Sequence, residues 1–474
     1  MPSTFFGVEI GRRALTASQL ALDVIGQNTA NVGTPGYSRQ VASLEETEPY
    51  GGPGTGVGQP AQLGSGVTVA SVVRVRDEFL DKRINSAISD QSSLNTLRDI
   101  LSRVEGAYGE PSTTGIGSQL TAFFNSFSDL AASPESSAVR TTVLNKAQSL
   151  IAAFHTVSAG LSQIQPEVES RITGQVGQVN LLASQIAALN KQIGSSIQSG
   201  DHPNDLLDRR TALIGQLSGL VDVQVIDSRN GAQSTGRVQV NVGGFVLVDG
   251  DTSSVLPSAH TTVNGEPALL TTDGKPIPLQ GGEIAGLIRA GTQTSSYQAD
   301  LDTLASNVIG AVNSIHSAGV GLDGVTGRSF FSGKSAVDID IAAAVANNSD
   351  AIAAASAPVP PAAVAAGNGD NARALAALAS QPVIGQASLN QYYNSRVATV
   401  GADSQRVQSL ADNQAKVVTQ LQNQQASASG VNLDEELTKL LQFQRSYQAA
   451  ARIINVQDDL LNRVINGLGV GATG

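Results

Sequence analysis

Cysteine and tryptophan are absent from this 474-residue sequence, methionine occurs once, and aromatic residues make up only 4%. The missing thiol excludes disulfide scaffolds, thiolate metal sites and cysteine nucleophiles. With so few rings, the interior has to be packed from aliphatic and alanine side chains, a composition suited to long helices. Basic residues are outnumbered, with Lys plus Arg 29 against Asp plus Glu 40 and a net charge of -11. That balance argues against nucleic acid or an anionic membrane as a main partner, since both need a basic face. No run of about 18 apolar residues occurs, so no membrane insertion is expected. Met1 to Gly11 lacks the basic n-region and long apolar stretch of a Sec signal peptide, which taken alone points to the cytosol. Hydrophobic residues reach 41% and glycine 49 positions. The length suggests roughly three domains with sizeable cores.

Near the N-terminus, Val8, Leu15, Leu22, Ile25 and Val32 form one narrow helical stripe, with the small Gly11 and Ser18 in the intervening seam positions. Gly33-Thr34-Pro35-Gly36 should end that helix, because proline disfavours a helical residue before it and glycine allows a left-handed turn. Gly51 to Gly58 reads as a loop and Val67 to Val75 as a strand. Residues 77–104 and 118–200 read as long helices broken near Pro111, Pro134 and Pro166, and Asn204 to Leu220 as another. From Val221 the period changes to two, so residues 221–280 are expected to be a small, independently folded antiparallel β domain. Helical pattern returns from Glu283 to Ser317, and Ala342 to Asn371 is low in complexity.

A strict 4-3 count near the C-terminus runs through Leu433, Leu437, Leu440, Gln444, Tyr447, Ala451, Ile454, Asp458, Leu461, Ile465 and Leu468. This is a coiled-coil seam with two polar interruptions. Its burial is worth about 10–25 kcal/mol gross, none of which a lone helix obtains. Its internal partner is the N-terminal stripe. The expected fold is mainly α with a small inserted β domain: paired terminal coiled-coil helices (1–45 and 430–474), an elongated long-helix bundle (46–220 and 281–429) and an outer antiparallel β domain (221–280).

Chemistry is hard to find. The histidines His155, His202, His260 and His316 have no zinc-site spacing. Beside His202, Asn204 or Asp205 is expected to cap a helix and Asp205 to pair with Arg209. Gly54, Gly56 and Gly58 do not fit a dinucleotide fingerprint. Gly321-Leu322-Asp323-Gly324 lacks the other ligands of a calcium loop and reads as a tight turn. No G-x-S-x-G elbow occurs. The carboxylate pairs Glu435-Glu436 and Asp458-Asp459 are expected on a solvated helix face. A muramidase-like activity would need two carboxylates of separated pKa in a cleft. No catalytic residue, metal site or cofactor is expected.

Asn28-Thr29-Ala30-Asn31-Val32-Gly33-Thr34-Pro35-Gly36-Tyr37-Ser38-Arg39-Gln40 closely resembles the N-terminal signature shared by the flagellar rod, hook and hook-associated axial protein family. Ser429-Gly430-Val431-Asn432-Leu433-Asp434-Glu435-Glu436 resembles the signature that opens the last helix in the hook–filament junction branch of that family. Pro203-Asn204-Asp205-Leu206-Leu207-Asp208-Arg209-Arg210 and His316-Ser317-Ala318-Gly319-Val320 agree with the same branch. Between Phe331 and Ala387 there is no room for the extra outer β domain of longer members. The resemblance implies an extracellular flagellar location reached by type III export, replacing the cytosolic reading, and the absent cysteines fit a chain exported unfolded. It implies a structural role at the hook–filament junction, with the hook protein, hook-associated protein 3 and copies of itself in a ring as neighbours. An export chaperone would hold the C-terminal helix. A flagellin-like filament or adhesive surface protein is the competing reading.

Overall fold

The computed structural model describes residues 5–49, 64–231, 233–357 and 366–469. The Gly51–Gly58 loop expected from sequence and the side chain of Leu468 lie outside the described residues.

Helix α1 (Phe6–Ala30) ends in the anticipated Gly-Thr-Pro-Gly turn, where the Thr34 amide donates to the Asn31 carbonyl and Gly36 takes φ +81°. Val32 is thereby excluded from the helix and stands exposed in the turn, so it does not extend the N-terminal stripe. Strands β1 (Gln40–Glu46) and β2 (Val67–Arg74) pair antiparallel as a two-stranded arm, with a bulge at Ser43/Leu44.

Helix α2 (Glu78–Tyr108) is capped by Asp77, whose carboxylate accepts from the Phe79 and Leu80 amides, and stops at the left-handed Gly109. Helix α3 (Ile116–Ala132) leads into α4 (Ser137–Gln198), 62 residues long, or about 93 Å at 1.5 Å per residue. A break at Pro166 was expected, yet α4 runs straight through it. Proline inside a helix costs about 3 kcal/mol. Leu161, Ile164, Val168 and Ile172 are all buried on either side of it, and burial of side chains of this kind is worth about 1.5–3 kcal/mol each. Packing overrides the local break.

Helix α5 (Asn204–Leu220) precedes seven short strands. These are β3 (Gln224–Asn230), β4 (Gln233–Val242), β5 (Phe245–Asp249), β6 (Thr252–Ser253), β7 (His260–Val263), β8 (Glu266–Leu270) and β9 (Pro276–Pro278). They form a four-stranded sheet in the order β3-β4-β5-β6 and a three-stranded sheet β7-β8-β9, all antiparallel. This region is not a separate core. Val238, Val240, Val242, Leu247 and Leu256 belong to the same buried cluster as α4 and α6. Asn190 of α4 donates to the Val238 and Gly250 carbonyls, both at 2.8 Å, and Asn180 donates to the Leu256 carbonyl.

Helix α6 (Gly282–Ala318) returns along the bundle. Four short strands follow: β10 (Gly319–Val320), β11 (Phe331–Ser332), β12 (Asp340–Ile341) and, after helix α7 (Ala343–Ala346), β13 (Ala355–Ser356). They pair only as β10-β13 and β11-β12. Helix α8 (Asp370–Ala377) precedes α9 (Leu389–Ser429), which opens with a capping box between Ser388 and Gln391. Helix α10 (Leu433–Gly469) closes the chain, its first amides received by Asn432. The distal end of the bundle holds an aromatic cluster. There Phe123, Phe124, Phe127, Phe330 and Phe331 are buried, and Phe123 lies 5.2–5.7 Å, centroid to centroid, from each of the other four.

Candidate functional site at the root of the terminal helices

Helices α1 and α10 lie side by side and antiparallel. A Cβ on Gly7 would touch the Gln457 side chain and one on Gly11 would meet Ile454 at 2.7 Å, while Asn28 at the other end bonds Glu436. The two glycines let the helix axes approach closely on that flank. Along α1 the buried positions are Gly11, Ala17, Ser18, Ala21, Val24, Ile25 and Asn28, with Val8, Leu15 and Leu22 half-buried. Along α10, Glu436 and Ala450 are buried and Leu440, Phe443, Ala451, Ile454, Gln457 and Leu461 half-buried. The predicted seam residues therefore divide. Leu440, Ala451, Ile454 and Leu461 lie on the flank turned toward α1, and Tyr447 sits at its margin. Leu433, Leu437 and Ile465 stand exposed, in company with Leu441, Ile453, Val456, Leu460 and Val464. Helix α10 thus carries apolar side chains beyond the α1 flank that nothing among the described residues covers.

The root of the pair is polar. Asn28 is buried and makes four bonds. Its Nδ2 donates to Glu436 Oε2 and to the Gln40 carbonyl, both at 2.9 Å, while its Oδ1 accepts from Tyr37 Oη at 2.8 Å and from the Gln40 amide at 2.9 Å. Burial and the nearby Asp205, Asp208 and Glu436 push the Tyr37 hydroxyl up to about 12, so it remains a donor. Glu436 was expected on a solvated face and is instead 1% exposed. The Asn28 amide and the Lys439 ammonium, at 3.4 Å, compensate its burial.

One turn away, the Asp208 carboxylate of α5 receives the Ser38 amide at 3.0 Å, the Ser38 hydroxyl at 2.7 Å and Arg74 Nη1 at 2.7 Å. Arg76 donates to Ser38 Oγ at 2.9 Å and forms a two-point pair with Asp81, which also receives Gln425 of α9 at 2.6 Å. Arg39 pairs with Glu435 at 2.8 Å, and its amide donates to the Ser429 carbonyl. Asn204 was read as a cap. It donates instead to Gln40 Oε1 and the Val72 carbonyl, the helix starts at Pro203 without a side-chain cap, and among the described ion pairs none joins Asp205 to Arg209. Arg210, at the end of the same motif, reaches the other way, to Asn190 Oδ1 and the Gly236 carbonyl.

Three sequence stretches, 28–40, 203–210 and 429–436, thus meet in one buried polar hub that ties the terminal pair, the arm, α2, α5 and α9 together. Arg74, Arg76, Asp81 and Gln425 were missed by sequence reading. Their only signal was the alternation Arg74-Val75-Arg76 at the strand end. Among the described residues no group of three His, Asp or Glu side chains is placed to hold a metal ion, and no helix is long and apolar enough to cross a membrane. The hub's carboxylates are consumed by hydrogen bonds and ion pairs. Chemically it is a clamp.

The comparisons with known proteins bear on the same elements. Residues 9–37, spanning α1 and its turn, match the profile described as flagella basal body rod protein, and residues 422–467 match the C-terminal profile of the flagellar basal body rod FlgEFG proteins. Residues 101–331 match the flagellar hook-associated protein FlgK helical domain. The flagellar hook-associated protein 1 of Bacillus subtilis (strain 168) is 31% identical over 506 aligned residues, covering 99% of this chain and 100% of that protein. The chain belongs to the flagellar hook-associated protein 1 family. The Escherichia coli (strain K12) hook-associated protein 1 is 27% identical, over 95% of this chain and 98% of that protein. Among solved structures, the flagellar hook junction protein FlgK from Burkholderia pseudomallei shares the fold, with a TM-score of 0.63 at 20% identity, over 73% of this chain and 100% of that one. As a hook-associated protein 1 family member, the chain is a structural component of the bacterial flagellum, located there and associating with other axial components. The hub occupies the border between the two rod-type terminal segments and the helical domain that distinguishes this family.

Proposed function

We propose that this protein forms the junction between hook and filament, as a ring of its own copies outside the cell, and that it acts without catalysis. The hook protein would be its cell-proximal neighbour and hook-associated protein 3 its distal one, with an export chaperone holding α10 before type III secretion. The observation that carries this reading is the series of exposed apolar side chains along α10, Leu433, Leu437 and Leu441 in its first turns and Ile453, Val456, Leu460 and Val464 further on, beside a clamped hub. An apolar stripe this long is a liability in a monomer and an interface in an assembly. The hub holds the stripe at a fixed angle to the body, as stacking in register requires.

The test is filament growth after purified protein is added to hooks from a strain lacking it, which bypasses export. Leu461→Asp is expected to abolish growth, because it puts a carboxylate at a half-buried seam position, and burial of an ion costs several kcal/mol. Asp459→Ala, on an exposed face, should support growth like wild type. Equal growth with Leu461→Asp would refute the proposed seam. Immuno-gold label along the whole filament, rather than in one narrow zone, would favour a filament-type subunit instead.

A further inference from the structure

The distal end of the bundle contains a feature that neither the seam nor the hub uses. Arg140, in the first turn of α4, is 1% exposed. Its Nε donates to the Pro134 carbonyl at 2.7 Å, and its Nη1 to the Ile352 and Ser349 carbonyls at 2.7 and 3.2 Å. These are neutral acceptors. Among the described residues no carboxylate forms an ion pair with it: Asp350, Asp323 and Glu135 act on it only at longer range, and Asp323 is taken by Arg328. Burial of a cation without a direct ion pair is unfavourable, and it pulls the Arg140 pKa below the ordinary guanidinium value.

The Arg140 head borders a cavity of about 250 Å³ between α4 and the β10-β13 pair, lined also by Gly321, Leu322, Gly324, Ala355 and Asn368. None of the lining residues is acidic. The wall is the stretch that follows the His316–Val320 motif, and its shape is specified. Gly324 holds φ +75°, its amide donates to the Gly321 carbonyl at 3.0 Å, and a Cβ on Gly321 would strike the Asp350 carbonyl at 2.6 Å. Among the described residues Nη2 has no acceptor, whereas Nε and Nη1 are fixed by their carbonyls. One arm of a guanidinium fixed by neutral carbonyls is therefore left for a guest.

We propose that this distal cavity binds a single carboxylate group, with Arg140 as its counter-charge and Asn368 at its edge. The volume suits a group the size of an acidic side chain rather than a nucleotide or a drug-sized ligand, whose pockets run from about 300 Å³ upward. Charge-assisted bonds from guanidinium to carboxylate are about twice as strong as neutral ones, so the guest replaces weaker solvation of the free arm.

The test uses the full-length protein and hydrogen–deuterium exchange of the segments 319–325 and 352–356. The probes are acetate, the α-amide of N-acetylglutamate, and the α-amide of N-acetylglutamine as the neutral control, all at one ionic strength set with chloride. Both carboxylates are expected to slow exchange in these segments at least threefold, and the neutral amide not at all. Stronger protection by the glutamyl probe assigns the guest to an acidic side chain of another protein, and stronger protection by acetate to a free small carboxylate. Arg140→Met should abolish the effect. Because that variant can also unsettle the fold, Asn368→Asp is the second arm. It keeps the acceptor for the Ser356 and Asp370 amides but places a negative charge at the cavity, and should weaken carboxylate binding at least tenfold. Equal exchange in acetate and chloride, or undiminished binding by Asn368→Asp, would overturn the proposal.

Discussion

The helical body and the terminal pair are both built from long helices but in opposite ways. In the body, α3, α4, α6 and the start of α9 enclose one continuous cluster whose large side chains, such as Phe123, Phe154, Leu301 and Tyr393, are essentially fully buried. In the terminal pair the contact flank mixes small residues (Gly11, Ala17, Ser18, Ala21 and Ala450) with Val24, Ile25, Leu440 and Ile454, while Leu437, Val456, Leu460 and Val464 stand exposed. A two-helix contact with many small and half-buried residues buries less area than the enclosed cluster of the body, and burial scales the hydrophobic gain. The body is self-sufficient; the pair is a half-finished interface held in place by the hub. Stability and assembly are thus assigned to different residues, and mutations can separate them.

The largest effect is expected from Phe123→Ala, which removes the centre of the distal aromatic cluster. It should cost about 3–5 kcal/mol, read as a drop in the denaturant midpoint of the main transition. Next comes Asp208→Ala, which leaves Arg74 and the Ser38 amide without their carboxylate. About 3 kcal/mol of coupling between arm and body should vanish. Limited proteolysis should then release the terminal segments while α3, α4 and α6 persist. Equal resistance of both regions would mean that the hub is not what joins them.

His316 offers a pH test of the body alone. It is fully buried, its Nδ1 faces the Arg328 carbonyl at 2.8 Å and its Nε2 accepts the Ala353 amide at 3.0 Å, so the neutral Nδ1–H tautomer is held. Burial lowers its pKa below 6.5. The unfolded chain therefore binds the proton first, and this contribution is present above pH 6.5 and lost as pH falls through and below that value. Melting temperature should drop between pH 7 and 5 in the wild type and less so in His316→Gln. An unchanged slope in the variant would assign the acid sensitivity elsewhere.

Smaller still is Tyr37→Phe. Losing the bond to Asn28 should cost about 1 kcal/mol. Because the folded pKa of Tyr37 is raised to about 12, its share of stability is present up to pH 10 and lost as pH climbs through 12, and the phenylalanine variant should lack that alkaline loss. Leu460→Ala should do least to the monomer, within about 0.5 kcal/mol, while weakening ring assembly measured by sedimentation. A cost in the monomer comparable to Phe123→Ala would show that the outer face of α10 is already covered.

Much of this was legible from local pattern. The ends of α1, α5 and α6, the strand at 67–74 and the turn at Gly321–Gly324 follow from proline, glycine and period, which act within a few residues. The three stretches that build the hub were recognisable as motifs, though not as neighbours. What local pattern missed has one cause. The passage of α4 through Pro166, the burial of Glu436, the escape of Asn204 from a capping role and the merging of the β strands with the α4 core all depend on partners far along the chain.

By itself, the sequence determined that this chain is thiol-free, largely helical and apolar in heptads at both ends, so that its termini seek each other. Composition and a 3.5-residue period suffice for that, because both are properties of single segments. Which flank of α10 meets α1 was decided only in three dimensions. Helix α10 carries more apolar side chains than α1 covers, and a count of positions cannot say which of them are left out. The close approach permitted by Gly7 and Gly11 and the anchoring of Asn28 on Glu436 select one flank and leave the other outward.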